Sequence, residues 1–154
     1  MINTIPDEDL RYIRHERDDS GIIMHIESIK TEAICPYCGT VSRKVHSRYI
    51  RQLQDLPIQG EKVRLQLNNK KYFCINTECR HKTFAEQFTF FTPKSVKTKR
   101  LEDEIVRVSL IQSSVSAAKY LRSSIANVGK STICDLNKKR GKRSECIERS
   151  FGVY

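Results

Sequence analysis

The chain has 154 residues, a formal net charge of +10 and no tryptophan, and 38% of its residues are hydrophobic. This length allows one ordinary domain or two small ones, and the modest apolar content argues against a single large core. No apolar run is long enough to span a bilayer. The acidic residues at positions 7 to 9 do not fit a signal peptide. The sequence therefore predicts a cytoplasmic protein built from small modules.

The positive charge is unevenly distributed along the chain. Residues 1–34 carry four Lys/Arg against eight Asp/Glu, residues 35–100 carry fourteen against four, and residues 101–154 carry ten against six. A basic excess of this kind favours a polyanionic partner, most often nucleic acid. The alternative is a soluble basic protein without such a partner.

The first 34 residues are predicted to be an acidic segment that leads into the first cysteines. A helical pattern covers residues 9–16, and one or two strands are expected between Ile22 and Ile34. Residues 43–53 then alternate with the period of a strand, and Pro57 and Gly60 are expected to break it. A second strand follows, with a hairpin turn predicted at Asn68-Asn69 because asparagine tolerates positive φ.

Four cysteines stand in two close pairs, Cys35 with Cys38 and Cys74 with Cys79. In a cytosolic chain, such pairs bind metal more often than they form disulfides. Two such pairs can supply the four thiolates that coordinate one Zn²⁺ tetrahedrally. A zinc ion with four protein ligands has no position left for a substrate. The predicted zinc is therefore structural. The alternatives are buried reduced cysteines, a disulfide, or ligation by His46 or His81.

Beyond residue 93 the apolar residues follow a helical period. After a basic linker, helices are predicted around Leu101–Ile111, around Ala117–Leu121 and over residues 130–139. Three short helices, the second rich in small residues, are typical of a helix-turn-helix unit.

The predicted fold class is therefore α+β: a small Cys₄ zinc-ribbon β domain followed by a three-helix helix-turn-helix unit. The predicted limits are an acidic N-terminal segment at 1–34, the zinc ribbon at 35–92, the helix-turn-helix domain at 93–140 and an unpatterned tail at 141–154.

The sequence Gly129-Lys130-Ser131 is similar to the end of a nucleotide-binding phosphate loop. That loop needs a glycine five positions earlier, where Ser124 stands, and a preceding buried strand, where a helix is predicted. We interpret Gly129 as a turn residue, with Ser131 and Thr132 capping the third helix and Lys130 meeting a phosphate.

Basic residues crowd the predicted ribbon with few acids between them. Contacts to phosphates position a protein on DNA, whereas contacts to base edges specify the sequence. A solvated charged face is the alternative for any such run. The predicted DNA-binding residues are Arg43, Lys44, Arg48, Arg51, Arg64, Lys70 and Lys71 in the ribbon, and Lys130, Ser131, Thr132, Lys138 and Lys139 in the third helix.

Several motifs follow one another in a fixed order: Cys35-Pro-Tyr-Cys-Gly, Val45-His-Ser-Arg-Tyr, Asp55-Leu-Pro-Ile-x-Gly, Lys71-Tyr-Phe-Cys-x-Asn-x-x-Cys and Thr83-Phe-x-Glu. The series resembles the N-terminal zinc ribbon of bacterial ISL-three-type insertion-sequence transposases. Residues 95–137 resemble, more loosely, the helix-turn-helix segment that follows it in that family. The resemblance implies that the four cysteines bind zinc and that the chain binds the terminal inverted repeats of a mobile element.

Members of that family continue into a ribonuclease-H-like domain whose acidic residues hold catalytic magnesium. The residues after Lys139 do not resemble the start of that domain. We therefore predict a transposase truncated before its catalytic domain, which is not an enzyme and binds double-stranded DNA on the bacterial nucleoid. The alternatives are a stand-alone regulator or inhibitor of the intact transposase and an RNA-binding zinc ribbon. A homodimer, or association with the full-length transposase, is left open.

Overall fold

The computed structural model describes residues 5–140, so the predicted tail at 141–154 lies outside the described residues. The chain forms two compact units. The first combines the described residues up to Leu53 with Arg64–Val96, and the second combines Gln54–Val63 with the described residues from Lys97 onward.

The described residues form an α+β fold with strands first and helices after them. The strands are β1 (Leu10–Asp18), β2 (Gly21–Ser28), β3 (Ala33–Ile34), β4 (Val41–Ser42), β5 (Val45–Ile58), β6 (Glu61–Phe73) and β7 (Thr83–Ala85). The helices are α1 (Lys99–Ile111), α2 (Ser114–Ser124) and α3 (Lys130–Lys139). The prediction of an α+β fold with three helices beyond residue 93 is confirmed.

The main sheet has the order β1-β2-β6-β5, with β7 paired to β6, and β3 pairs with β4 in a separate small sheet. Strand β2 alternates, so that Ile22, Met24 and Ile26 are buried and the residues between them are more open. Strand β6 buries Leu65 and Leu67 in the same way. This period of two gives the sheet one apolar face.

The helix predicted over residues 9–16 is wrong, because this segment is strand β1. It pairs antiparallel with β2 from Leu10 opposite Ser28 to Asp18 opposite Gly21. Its residues are exposed after Leu10, so the sequence shows no alternation of buried and exposed residues that would indicate a strand. Pairing with β2 determines the conformation instead of the local helical pattern.

The hairpin turn predicted at Asn68-Asn69 is also wrong, because both residues lie inside β6. Asn69 is buried, and its side-chain amide donates to Tyr49 Oη at 2.8 Å. The turn instead falls at Gln59-Gly60, where both residues have positive φ, as a type I′ turn requires. Strand β5 runs through Pro57 because it lies at a sheet edge, where a missing N–H is tolerated.

The second unit has an apolar core between its three helices. Leu101 and Ile105 of α1, Leu121 of α2 and Ile133 of α3 are fully buried, and Leu56 from the end of β5 packs against them. None of the helices within residues 5–140 is long and apolar enough to cross a membrane.

Candidate metal centre and nucleic-acid interface

The two cysteine pairs come together in the first unit. One sulfur atom from each of Cys35, Cys38, Cys74 and Cys79 lies within 4.8 Å of the other three. Tetrahedral zinc with bonds of about 2.3 Å holds its sulfur ligands about 3.8 Å apart. The Sγ atoms of Cys38 and Cys74 are 3.5 Å apart, beyond the length of a disulfide bond. The set therefore fits one structural zinc ion.

The first pair lies on a tight turn directly after β3. Gly39 has a φ of 76°, a conformation that side chains disfavour. Its N–H donates to the Cys35 carbonyl at 2.9 Å, and the Cys35 N–H donates to the Thr40 carbonyl at 2.9 Å. These bonds curl the chain so that both thiols of this pair face the same point.

The second pair begins where β6 ends. The Cys74 N–H donates to the Lys82 carbonyl at 2.9 Å, and the Cys79 N–H donates to the Asn76 carbonyl at 3.2 Å. The loop therefore returns to its own starting point, which brings Cys79 to Cys74. Cys35 and Cys79 are buried with Tyr72 and Phe84, whereas Cys38 is exposed.

Hydrogen bonds and burial shift the pKa values of Cys38 and Cys74 in opposite directions. The Thr40 hydroxyl, 3.4 Å from Cys38 Sγ, and the Thr40 N–H lower the pKa of Cys38 to about 6. Burial, followed by the neighbouring sulfur atoms, raises the pKa of Cys74 to about 12. Zinc binds thiolates, so binding must displace protons and weaken as the pH falls.

The two histidines considered as alternative ligands are engaged elsewhere. His46 Nδ1 lies 2.9 Å from Ser47 Oγ, and its ring meets Phe73 edge-on at 4.7 Å between centroids. The ring of His81 stacks on Tyr37. The metal-binding cluster within the described residues contains the four cysteines and neither histidine.

Three of the predicted DNA-binding residues of the ribbon are exposed or half-buried. Lys44 is exposed, with its Nζ 5.2 Å from the centre of the Phe73 ring. Arg48 is exposed on β5, and Lys71 is half-buried on β6.

Three arginines that were predicted to bind DNA instead form ion pairs, hydrogen bonds or ring contacts within the protein. Arg43 pairs with Glu32 at 2.9 Å, and Arg64 pairs with Asp18 at 2.5 Å. Arg51 donates to the Ser95 carbonyl at 2.8 Å and lies over the Phe91 ring at 4.6 Å. The partners are distant in sequence, so local charge patterning gave no sign of them.

Lys70 is the least exposed of the predicted DNA-binding residues. It is only 8% exposed, and its Nζ donates to the carbonyls of Lys30 at 2.6 Å and Ser28 at 3.2 Å. It lies near Glu86, a buried carboxyl whose Oε1 accepts from the Ser28 hydroxyl and whose pKa burial raises. Such a lysine is not available to a phosphate, so Lys70 is left out of the surface proposed below.

The predicted residues of the third helix lie on the open side of α3. Lys130, Ser131, Lys138 and Lys139 are exposed, and Thr132 is half-buried. Gly129 is the N-cap, and no side chain makes a capping hydrogen bond there. The start of α3 therefore depends on backbone conformation and not on the predicted serine or threonine cap.

The sequence did not reveal how the end of the β5–β6 hairpin contributes to the helical unit. Asp55 is 1% exposed, and its carboxylate accepts from Thr98 Oγ1 at 2.7 Å and Arg100 Nε at 2.7 Å. Thr98 is the N-cap of α1. Lys62 Nζ donates to the Arg122 carbonyl at the end of α2 and to an oxygen of Asn127. The hairpin end thus holds the start of one helix and the end of the next.

Comparison with known proteins finds a family resemblance in the segment that contains the metal centre. Neither the search of curated proteins nor the search of solved structures returned a match. Residues 31–79, which include all four clustered cysteines, match the family model described as the zinc-finger of transposase IS204/IS1001/IS1096/IS1165. This segment therefore resembles a transposase zinc ribbon, and its four clustered cysteines fit one structural zinc ion.

Proposed function

We propose that the chain is a zinc-dependent DNA-binding module of a transposase, which docks on the terminal inverted repeats of a mobile element. One observation carries this proposal. A four-cysteine centre lies within a segment that matches a transposase zinc finger, and the chain around it is strongly basic.

We propose that the metal maintains the conformation of the DNA-binding surface. Among the described residues, the buried cluster around the sulfur atoms consists of Cys35, Cys79, Tyr72 and Phe84. Zinc binding to structural sites in small peptides is worth about 10–16 kcal/mol at neutral pH. The turns that carry the exposed Lys44 would therefore lose their conformation without the metal.

Helices α2 and α3 are proposed to act as a helix-turn-helix, with α3 as the helix that enters the major groove. The connection between them is short, at residues 125–129. The exposed residues of α3 are Ser131, Asp135 and three lysines, and Thr132 is half-buried. Lysines suit phosphates, and serine or threonine hydroxyls suit base edges.

The proposed phosphate contacts are the predicted cations that no acidic side chain or carbonyl group engages among the described residues. They are Lys44, Arg48, Lys71, Lys130, Lys138 and Lys139. Each phosphate neutralised contributes about −0.9 to the slope of log affinity against log salt. Fluorescence anisotropy of a labelled element-end duplex between about 50 and 200 mM salt tests this directly.

We expect the duplex carrying the inverted repeat to bind more tightly than a scrambled duplex, with a steep salt slope. The double variant Lys44→Ala/Arg48→Ala should reduce the slope by about 1.8. Arg43→Ala is the matched control because Arg43 already pairs with Glu32, and it should change the slope less. A flat salt response, or equal affinity for the scrambled duplex, would contradict the proposal.

The same binding surface suits a stand-alone regulator that competes with an intact transposase for element ends, in the bacterial cytoplasm on the nucleoid. Co-expression with the full-length enzyme separates the two roles, because unchanged transposition argues against inhibition. We propose that the described residues bind DNA and do not cut it. Magnesium-dependent cleavage by the purified chain would contradict this part of the proposal.

A further inference from the structure

Two aromatic rings stack on the solvent-facing side of the zinc ribbon. Tyr37 lies between the first two cysteines, and His81 lies two residues after Cys79. Their ring centroids are 3.5 Å apart, and the ring planes differ by 11°. Tyr37 remains 59% exposed and His81 is also exposed. The stack therefore leaves aromatic surface open to solvent.

Cations flank this stack in the sequence. Arg80 and Lys82 stand on either side of His81, and both are exposed. Lys82 Nζ is fixed against the chain because it donates to the carbonyls of Cys79 at 3.2 Å and Thr77 at 3.4 Å. Glu78 is the acidic residue in this loop. Because the two carbonyls hold Lys82 Nζ, the exposed Arg80 is the cation of this loop proposed to meet a phosphate.

Open aromatic surface beside cations is the arrangement by which proteins hold unpaired nucleotides. The base stacks on the ring, and the cations meet the phosphate backbone. A base inside a duplex already has a neighbour on each face, so only an unpaired or unstacked base can use such a surface. Stacking tolerates any base and is worth roughly 5- to 150-fold in affinity per base.

We propose that the Tyr37–His81 pair is a stacking platform for an unpaired DNA base at the element end. This inference rests on the proposed function, since it assumes DNA as the partner. It adds a contact that neither the helices nor Lys44, Arg48 and Lys71 supply. The zinc ribbon would then recognise a frayed or flipped nucleotide, and the helical unit would recognise the adjoining duplex.

The experiment compares a blunt element-end duplex with the same duplex carrying one unpaired 2-aminopurine at its terminus. We expect wild-type protein to bind the unpaired form at least about 5-fold more tightly and to quench the fluorescence of the base. Tyr37→Leu should abolish this preference while keeping one zinc per chain and unchanged affinity for the blunt duplex. Tyr37→Phe keeps a ring and should keep the preference.

Ile75→Ala is a matched control, because Ile75 is an exposed apolar residue (58%) of the second cysteine loop that carries no ring. It should leave the preference intact. Equal binding of both duplexes by wild type without quenching would overturn the platform. So would a preference that survives in zinc-loaded Tyr37→Leu, or tighter binding of the matching single-stranded RNA.

The failure of this inference is distinguishable from failure of the proposed function. Tight binding of the blunt duplex without any preference for the unpaired base removes only the platform. Binding of the unpaired form without binding of the duplex removes only duplex recognition. Should Tyr37→Leu lose zinc, quenching of 2-aminopurine by the wild-type protein still decides the question.

Discussion

The cysteine loops and the helical unit of this chain are stabilised by different means. Around the cysteines, the buried cluster among the described residues consists of Cys35, Tyr72, Cys79 and Phe84, and two of these are metal ligands. Between the helices, the described residues form an apolar core that contains no cysteine. The strands of the first unit bury apolar residues of their own, such as Ile26, Leu65 and Leu67, so the metal is needed for the loops and not for the sheet. The difference predicts which treatment disrupts which region.

Removal of zinc should have the largest effect, and it should fall on the cysteine loops of the first unit. We expect chelation, or Cys38→Ser, to abolish hydrogen-exchange protection in residues 35–44 and 74–85 while the buried parts of α1–α3 remain protected. The reason is the metal-binding energy of about 10–16 kcal/mol in comparable sites. Cys134→Ser is the control, because Cys134 lies in α3 outside the cluster. Loss of protection in both units together would contradict the comparison.

Breaking the Asp55 contacts should have the next largest effect, and it should fall on the second unit. Asp55→Ala leaves Arg100 and Thr98 without their buried acceptor. We expect a loss of about 3 kcal/mol, at the low end for a buried pair because the Arg100 side chain is 35% exposed. Denaturant unfolding followed by helical circular dichroism measures it.

The control for Asp55 is an exposed ion pair in the same unit. Asp103 pairs with Arg140 and its side chain is 60% exposed, so Asp103→Ala should cost less than about 1 kcal/mol. Equal losses in the two variants would show that the hairpin end contributes no more to the helices than a surface pair.

Lys62→Met should have a smaller effect, of about 1 kcal/mol on unfolding, because two hydrogen bonds at the end of α2 are lost. Its effect on DNA is more informative. If Lys62 positions the turn before α3, affinity falls while the salt slope stays the same. A decrease of about 0.9 in the slope would instead indicate a direct phosphate contact.

Glu86→Gln should have the smallest effect, visible as a change in pH dependence. Burial raises the pKa of Glu86 from its ordinary value of 4.5, so the folded state favours the protonated acid. The stability from this group is full below pH 4.5 and is lost as the pH rises through the folded pKa. The variant should therefore gain stability relative to wild type as pH increases, in parallel denaturation series. A constant difference at all pH values would contradict this.

The sequence predicted the features that local patterns encode. The cysteine spacing identified the metal ligands, the alternation after Arg43 identified a strand, and the helical period after Leu101 identified three helices. Each of these signals lies within a few neighbouring residues, so no knowledge of the fold was needed.

The features that the sequence missed depend on pairing between distant residues. Strand β1 has mostly exposed side chains and is defined by its partner β2. Lys70 appeared available for DNA until the sheet brought the Lys30 carbonyl to it. Asp55 was interpreted as part of a chain break, although it meets Arg100 across 45 positions of sequence. No local pattern distinguishes such residues from solvent-exposed ones.

Zinc content measured together with DNA affinity tests the central claim most directly. Protein purified without chelator should contain one zinc per chain, and Cys38→Ser or chelated protein should lose both the metal and most of its affinity for the element-end duplex. A chain that contains no zinc and still binds this duplex with undiminished affinity would contradict the account.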